Sequence, residues 1–189
     1  RYRFGLQGTL ENLTKSGDRL NLGVTLSNKD LHNYSISYSH PVGADGTVLG
    51  LGVSRMDYEL SGAFRRLGAE GTADTLSIFG TTPLWRTSKS SLVLSYGWDR
   101  RRLKDEYKAV GMELEKHSST FRLGLKGEER QYRTSWTYDI TAYCGRIGAD
   151  SDWARIQMRR ADTEGSFTKG VLNFNLRHEI SDRWNISLK

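Results

Sequence analysis

The eight residues Leu20-Asn21-Leu22-Gly23-Val24-Thr25-Leu26-Ser27 decide the fold. Every second side chain is aliphatic, and those between are small or polar. Strand side chains alternate between two faces, whereas residues two apart on a helix point to different sides. The segment is therefore a strand with one apolar and one polar face. The same pattern extends both ways. Before it, Tyr2, Phe4, Leu6 and Leu10 alternate with Arg1, Arg3, Gln7 and Thr9; after it, Tyr34, Ile36 and Tyr38 alternate with Asn33, Ser35, Ser37 and Ser39. A turn at 41–46 ends in Asp-Gly, a hairpin signal. Next, Leu49, Leu51 and Val53 fall out of phase with Met56, Tyr58 and Leu60. That slip predicts either a bulge near Ser54 and Arg55 or the exit of the strand from a membrane.

Farther along, the alternation returns in Leu76, Ile78 and Leu84, in Leu92, Leu94, Tyr96 and Trp98, and in Phe121, Leu123 and Leu125. It continues through Trp136, Tyr138, Ile140 and Ala142, then Leu172, Phe174 and Leu176, and finally Trp184, Ile186 and Leu188. The reading is about ten strands of an all-β, antiparallel transmembrane β-barrel segment of the bacterial outer-membrane type. Hydrophobic residues make up 37% of the 189-residue chain and mean hydropathy is −0.60. No run approaches the roughly 18 apolar residues of a membrane helix. A barrel passes under that threshold because each strand shows lipid only every second residue.

Connector lengths add a second signal, since a membrane barrel has short turns at one rim and longer loops at the other. Short turns are expected at 12–17, 42–46, 86–89, 128–131 and 181–183. Longer connectors are expected at 29–32, 61–71, 105–116 and 148–166, the last being the longest and the most exposed outside the cell. Trp85, Trp136 and Trp184 fall near short-turn ends, where amphipathic rings suit a membrane interface. Core aromatics of a soluble sandwich are the alternative.

Composition narrows the function. The net charge of +6 comes from basic residues spread along the chain. Its densest run, Arg100 to Lys104, meets Asp105 and Glu106 at once, which fits a mixed solvated loop and not nucleic-acid binding. Twenty glycines against two prolines suit a curved sheet. The single Cys144 reads as a small apolar filler. His32, His40, His117 and His178 are scattered and form no metal-ligand spacing. Nucleophile motifs and phosphate-cradling loops are missing too, so no enzymatic activity, metal or cofactor is expected.

What remains is the polar face, assigned to a barrel lumen. Arg1, Arg3, Arg122, Lys126 and Arg177 lie on it, as do Asp99, Asp139 and Glu179. The basic residues either impose a field on whatever passes inside or form a static network with the carboxylates that braces the wall.

Three groups of residues stand out: Tyr38-Ser-His-Pro-Val-Gly-Ala-Asp-Gly46 through Leu49-Gly-Leu-Gly-Val-Ser54 to Asp57-Tyr-Glu-Leu60, Asn12-Leu13 with Gly17-Asp-Arg-Leu20, and Tyr96-Gly-Trp-Asp99 leading to Leu103-Lys-Asp105. In order and spacing they resemble the hemolysin secretion/activation family, the outer-membrane transporters of two-partner secretion. The resemblance is strongest over the first 105 residues or so. It implies a 16-stranded barrel in the outer membrane of a Gram-negative bacterium, preceded by periplasmic polypeptide-transport-associated domains. Such a barrel moves an unfolded secreted partner protein, such as a hemolysin or adhesin, through its lumen without ATP. Residues 1–189 would then be one partial barrel domain, the second to eleventh strands, with short turns facing the periplasm. The family's Val-Arg-Gly-Tyr type lumenal-loop motif does not occur in this sequence, so its functional residues carry over to no position. A passive porin-like or adhesin-like barrel and a soluble carbohydrate- or lipid-binding β-protein are the alternatives.

Overall fold

A computed structural model of the chain describes residues 2–27, 31–59, 68–109, 111–161, 163–181 and 183–188. The first five strands are β1 (Arg3–Glu11), β2 (Arg19–Ser27), β3 (Leu31–Val42), β4 (Thr47–Glu59) and β5 (Ala69–Arg86). Then come β6 (Ser90–Tyr107), β7 (Met112–Gln131), β8 (Thr134–Ala149), the helix α1 (Asp152–Ala161), β9 (Gly165–Ser181) and β10 (Trp184–Leu188). The strands form one sheet in chain order, each hydrogen-bonded to the next, and every neighbouring pair is antiparallel. About ten strands in a meander is the architecture the alternation predicts.

Register places the apolar residues together. Leu22 stands opposite Ile36, Ile36 opposite Val53, Val53 opposite Leu76, and Leu51 opposite Ile78. Ile78 faces Trp98, Trp98 faces Phe121, and Leu125 faces Ile140, which faces Leu172. One face of the sheet is thus a continuous apolar belt. Along β8 the belt runs from Trp136 to Cys144, nine residues, which matches the length of a tilted membrane strand of about 9–11 residues. The belt is solvent-exposed in the isolated sheet, with Leu51 at 52%, Leu123 at 56% and Leu172 at 68%. The alternate residues of β4 are half-buried, so the polar face is the more enclosed, as the inside of a curved sheet is.

Several details differ from the sequence reading. Of the two explanations for the slip near Ser54 and Arg55, the bulge is absent, because β4 pairs with both neighbours without a break from Val48 to Asp57, which leaves exit of the strand from a membrane. Leu60 lies outside the described residues. A bulge occurs instead between Pro83 and Trp85, where proline cannot donate a ladder hydrogen bond. Residues 105–116 are mostly strand, since β6 runs to Tyr107 and β7 begins at Met112. Residues 29, 30 and 61–67 lie outside the described residues, and Leu31 and His32 already belong to β3. Connector 148–166 is no irregular loop. It contains α1, whose Ala154 and Met158 are buried against Leu114 and Ala149. Cys144 does sit on the apolar face, exposed instead of packed as a filler.

The opening turn has its own logic. Asn12 and Lys15 adopt left-handed backbones, with φ of 61° and 62°. Asp18, only 1% exposed, accepts hydrogen bonds from the Thr14 amide at 2.9 Å and the Thr14 hydroxyl at 2.8 Å. The Asn12 side chain accepts from the Gly17 amide at 2.9 Å. Side chains thus satisfy backbone donors that no ladder reaches, which gives the Asn12 and Gly17-Asp18 signature a structural role.

Candidate functional site

The polar face gathers seven of the eight predicted site residues, because register carries parity unchanged from strand to strand. Arg3 is on β1, Asp99 on β6, Arg122 and Lys126 on β7, Asp139 on β8, and Arg177 and Glu179 on β9. Arg1 lies outside the described residues. The seven are not one cluster. Asp99 and Arg122 meet: the Arg122 guanidinium donates to Asp99 Oδ2 at 3.1 Å, while Ser77 Oγ donates to Asp99 Oδ1 at 2.6 Å. The Arg122 chain lies across Gly97, where a Cβ would fall 2.7 Å from Nε. Any other residue at 97 would push that guanidinium away.

Arg177 and Glu179 approach to 3.8 Å along β9. Lys126 stands opposite Asp139 in register, but Asp139 accepts from the Thr141 hydroxyl at 2.9 Å. Among the described residues, Lys126 and Arg3 make no ion pair. They are exposed, so water solvates their charge at little cost. Among the seven predicted residues, braced charges thus stand beside two cations without an ion pair, Lys126 and Arg3. No group of three or more His, Cys, Asp or Glu among the described residues is arranged to hold a metal.

At one end of the sheet the two faces exchange character, a feature the sequence reading missed. The face that carries the belt turns charged beyond Trp98. Arg55 bonds Asp57 at 3.3 Å and reaches Asp74 at 3.9 Å, Lys104 pairs with Glu113, and His117 contacts Asp150 at 2.8 Å. Glu113 is held below the ordinary carboxylate range by the Lys104 ammonium.

The opposite face turns apolar at the same level. Tyr107, Met112 and Ile147 surround the buried Leu114, Ala149, Ala154 and Met158. Leu114 pairs with Asp105, and Ile147 with Ser118, positions that share parity with Asp99 and Arg122. Helix α1 therefore lies on the enclosed, polar-face side of β7 and β8. Ser151 fixes its start, its hydroxyl accepting from the Ala154 amide at 3.3 Å. Lys116 Nζ donates to Gln157 at 2.7 Å. Nearby, the Tyr58 hydroxyl donates to Asp105 at 2.7 Å, and burial with that bond pushes the phenol well above its usual range. The signal for α1 was Ala154 and Met158, four residues apart on one helix face and hidden among charges.

Comparison with known proteins gives a consistent result. The family model described as Haemolysin secretion/activation protein ShlB/FhaC/HecB matches residues 1–189. Heme/hemopexin transporter protein HuxB of Haemophilus influenzae is 26% identical over 181 residues, covering 95% of this chain and 32% of that protein. A second Haemophilus influenzae HuxB sequence is 26% identical over 182 residues, with the same coverage. The solved structure of CdiB from Acinetobacter baumannii matches with a TM-score of 0.64 at 16% identity, covering 94% of this chain and 31% of that one. The chain thus spans about a third of the length of the relatives it matches. Among the described residues no helix is long and apolar enough to cross a membrane, which says nothing of crossing by strands.

Proposed function

The chain belongs to the hemolysin secretion/activation family, and from that premise we propose that residues 1–189 form a wall segment of an outer-membrane barrel that secretes a partner protein. The carrying observation is the segregation of faces at the level of the belt: apolar residues on one face, and Arg3, Asp99, Arg122, Lys126, Asp139, Arg177 and Glu179 on the other. In a bilayer the first face meets lipid and the second a hydrated lumen. The ordered sheet has β1 and β10 as its edges. Open edges are not tolerated in hydrocarbon, so further strands of a larger barrel close it, and the periplasmic domains of the family belong to that larger protein as well.

The short turns face the periplasm and the extended ends of β5 to β8 project outside the cell. Helix α1 then sits at the outer mouth, on the lumen side of the wall. An unfolded polypeptide leaving the barrel passes Arg122 and Lys126, about 13 Å apart along β7, before it reaches the helix.

The test uses the complete protein with its partner in Gram-negative cells. Heat-modifiable migration after detergent extraction establishes the barrel, and appearance of the partner in the medium establishes secretion. A barrel that assembles but releases no partner, while conducting small solutes, would make it a passive pore. Clean aqueous solubility of the complete protein without detergent would return it to the soluble binding proteins.

A further inference from the structure

Directly beyond the apolar belt, the belt face carries Arg100 and Arg102 on β6 and Arg146 on β8. Arg100 and Arg146 both stand opposite Ser119, two strand spacings or about 10 Å apart. Arg102 stands opposite His117 on one side and Asp74 on the other. Nearby, Arg55 is matched by Asp57 and Asp74, and the His117 ring contacts Asp150. Among the described residues Arg100, Arg102 and Arg146 make no ion pair. Trp98 and Phe121 lie just below, with ring centroids 6.4 Å apart, and the Trp98 indole donates to Ser119 Oγ at 2.7 Å.

An open groove of about 680 Å³ runs across this boundary. Leu22, Ile36, Val53 and Leu76 line its membrane end, and Arg55, Asp74, Arg100, Arg102 and His117 line the other, where Asp74 is approached by Arg55 and Arg100 and Arg102 keep the excess positive charge. A lipid with an acyl chain and an anionic head would meet complementary surface at both ends. Guanidinium forks match phosphate oxygens in pairs, and three arginines without ion pairs, Arg100 and Arg146 at one level and Arg102 two residues beyond, leave donors to spare. We propose that this groove binds a phosphorylated glycolipid of the outer leaflet, with its chain on the aliphatic residues and its phosphate on Arg100 and Arg102, flanked by Arg146. The proposal rests on the membrane orientation given above.

The experiment uses the complete barrel in phosphatidylcholine nanodiscs containing bisphosphoryl lipid A or its dephosphorylated form. The wild type should retain the bisphosphoryl form preferentially. Arg100→Gln with Arg102→Gln should bind it roughly tenfold more weakly. Arg101→Gln should bind normally, because Arg101 faces the other side and donates to Thr75 Oγ1. If the double glutamine variant fails to assemble, Arg100→Lys with Arg102→Lys, which keeps the charge but not the paired donors, should still prefer the bisphosphoryl form and bind it more weakly than wild type; binding of that form unchanged from wild type overturns the proposal. Equal retention of both lipid forms, or unchanged binding in an assembled double glutamine variant, overturns the proposal. So does full competition by millimolar inorganic phosphate, which would mark a free-anion site. A wild type lacking heat-modifiable migration would overturn the membrane reading itself, an outcome distinct from an assembled barrel indifferent to these arginines.

Discussion

Strand β6 passes through two environments with opposite demands. From Leu92 to Trp98 its belt face is Leu92, Leu94, Tyr96 and Trp98, and its other face holds Ser95, Gly97 and Asp99. Past that point the first face becomes Arg100, Arg102 and Lys104, while Leu103 and Tyr107 turn up on the second. Pairing runs on unbroken from Leu92 to Tyr107 against β7. Strand parity is set by the pleat and cannot change without a bulge, so the surroundings must change instead. The lower region is built for hydrocarbon outside and water inside. The upper one is an ordinary water-exposed sheet, charged on the outside, with a small core beneath α1.

The largest expected effect tests the lower region. Leu22, 43% exposed on the belt face, should not tolerate arginine: Leu22→Arg should cost about 2 to 4 kcal/mol in assembly near the bilayer midplane. Thr25→Arg, on the polar face, should assemble at close to wild-type yield. Heat-modifiable migration reads both. Normal assembly of the first with failure of the second would reverse the faces.

A smaller effect tests the upper region. Met158 is 2% exposed, and Met158→Ala should loosen the docking of α1 by about 2 kcal/mol while leaving the barrel assembled. Trypsin added to intact cells should then cut faster at Arg155 and Arg159, which are exposed on the helix. An unchanged cleavage rate would mean that α1 is held by something other than the buried cluster. Surface labelling of a tag inserted at 42–46 in intact cells would invert the topology altogether.

Smaller still is the cost of neutralising the polar face. Arg122→Gln with Lys126→Gln removes one braced and one free cation, and because both are solvated the loss of stability should stay within about 1 kcal/mol. Ion selectivity in planar bilayers, or the rate of partner secretion, should shift, with Lys126→Gln alone supplying much of the change because Arg122 is already neutralised by Asp99. Unfolding without a change in selectivity would make these residues braces only.

The belt was legible because alternation is a local signal that each strand repeats with the same phase. Leu20 to Ser27 alone sufficed, and the placement of Arg122 and Lys126 on one face followed from counting. The pairing of Arg122 with Asp99, as opposed to Lys126 with Asp139, was not legible: it depends on the Ser77 and Thr141 hydroxyls and on the space above Gly97. The upper region was only partly legible for a physical reason. Its apolar residues, Met56, Tyr58, Leu103 and Leu114, occupy the parity opposite to the belt, so the reversal in β4 fitted either a bulge or exit from a membrane, and 105–116 resembled a long connector. A helix of ten residues with four arginine or aspartate positions, Asp152, Arg155, Arg159 and Arg160, gave too short an apolar stripe to stand out.

The smallest effect belongs to the opening turn, at the far end from α1, and it depends on pH. Burial works against the Asp18 carboxylate, but hydrogen bonds from the Thr14 amide and hydroxyl outweigh it and hold the group below the ordinary value of 3.8. A carboxyl with a lowered folded value binds protons more readily when the chain is unfolded. Its contribution to stability is therefore complete above the unfolded value and is lost as pH falls through the folded one. Asp18→Asn keeps an acceptor for Thr14 and removes only the charge. The variant should unfold more easily than wild type at pH 7 in detergent, and the gap should close as pH drops below about 4. A gap that stays constant down to about pH 2 would show that the turn needs the shape of Asp18 and not its charge.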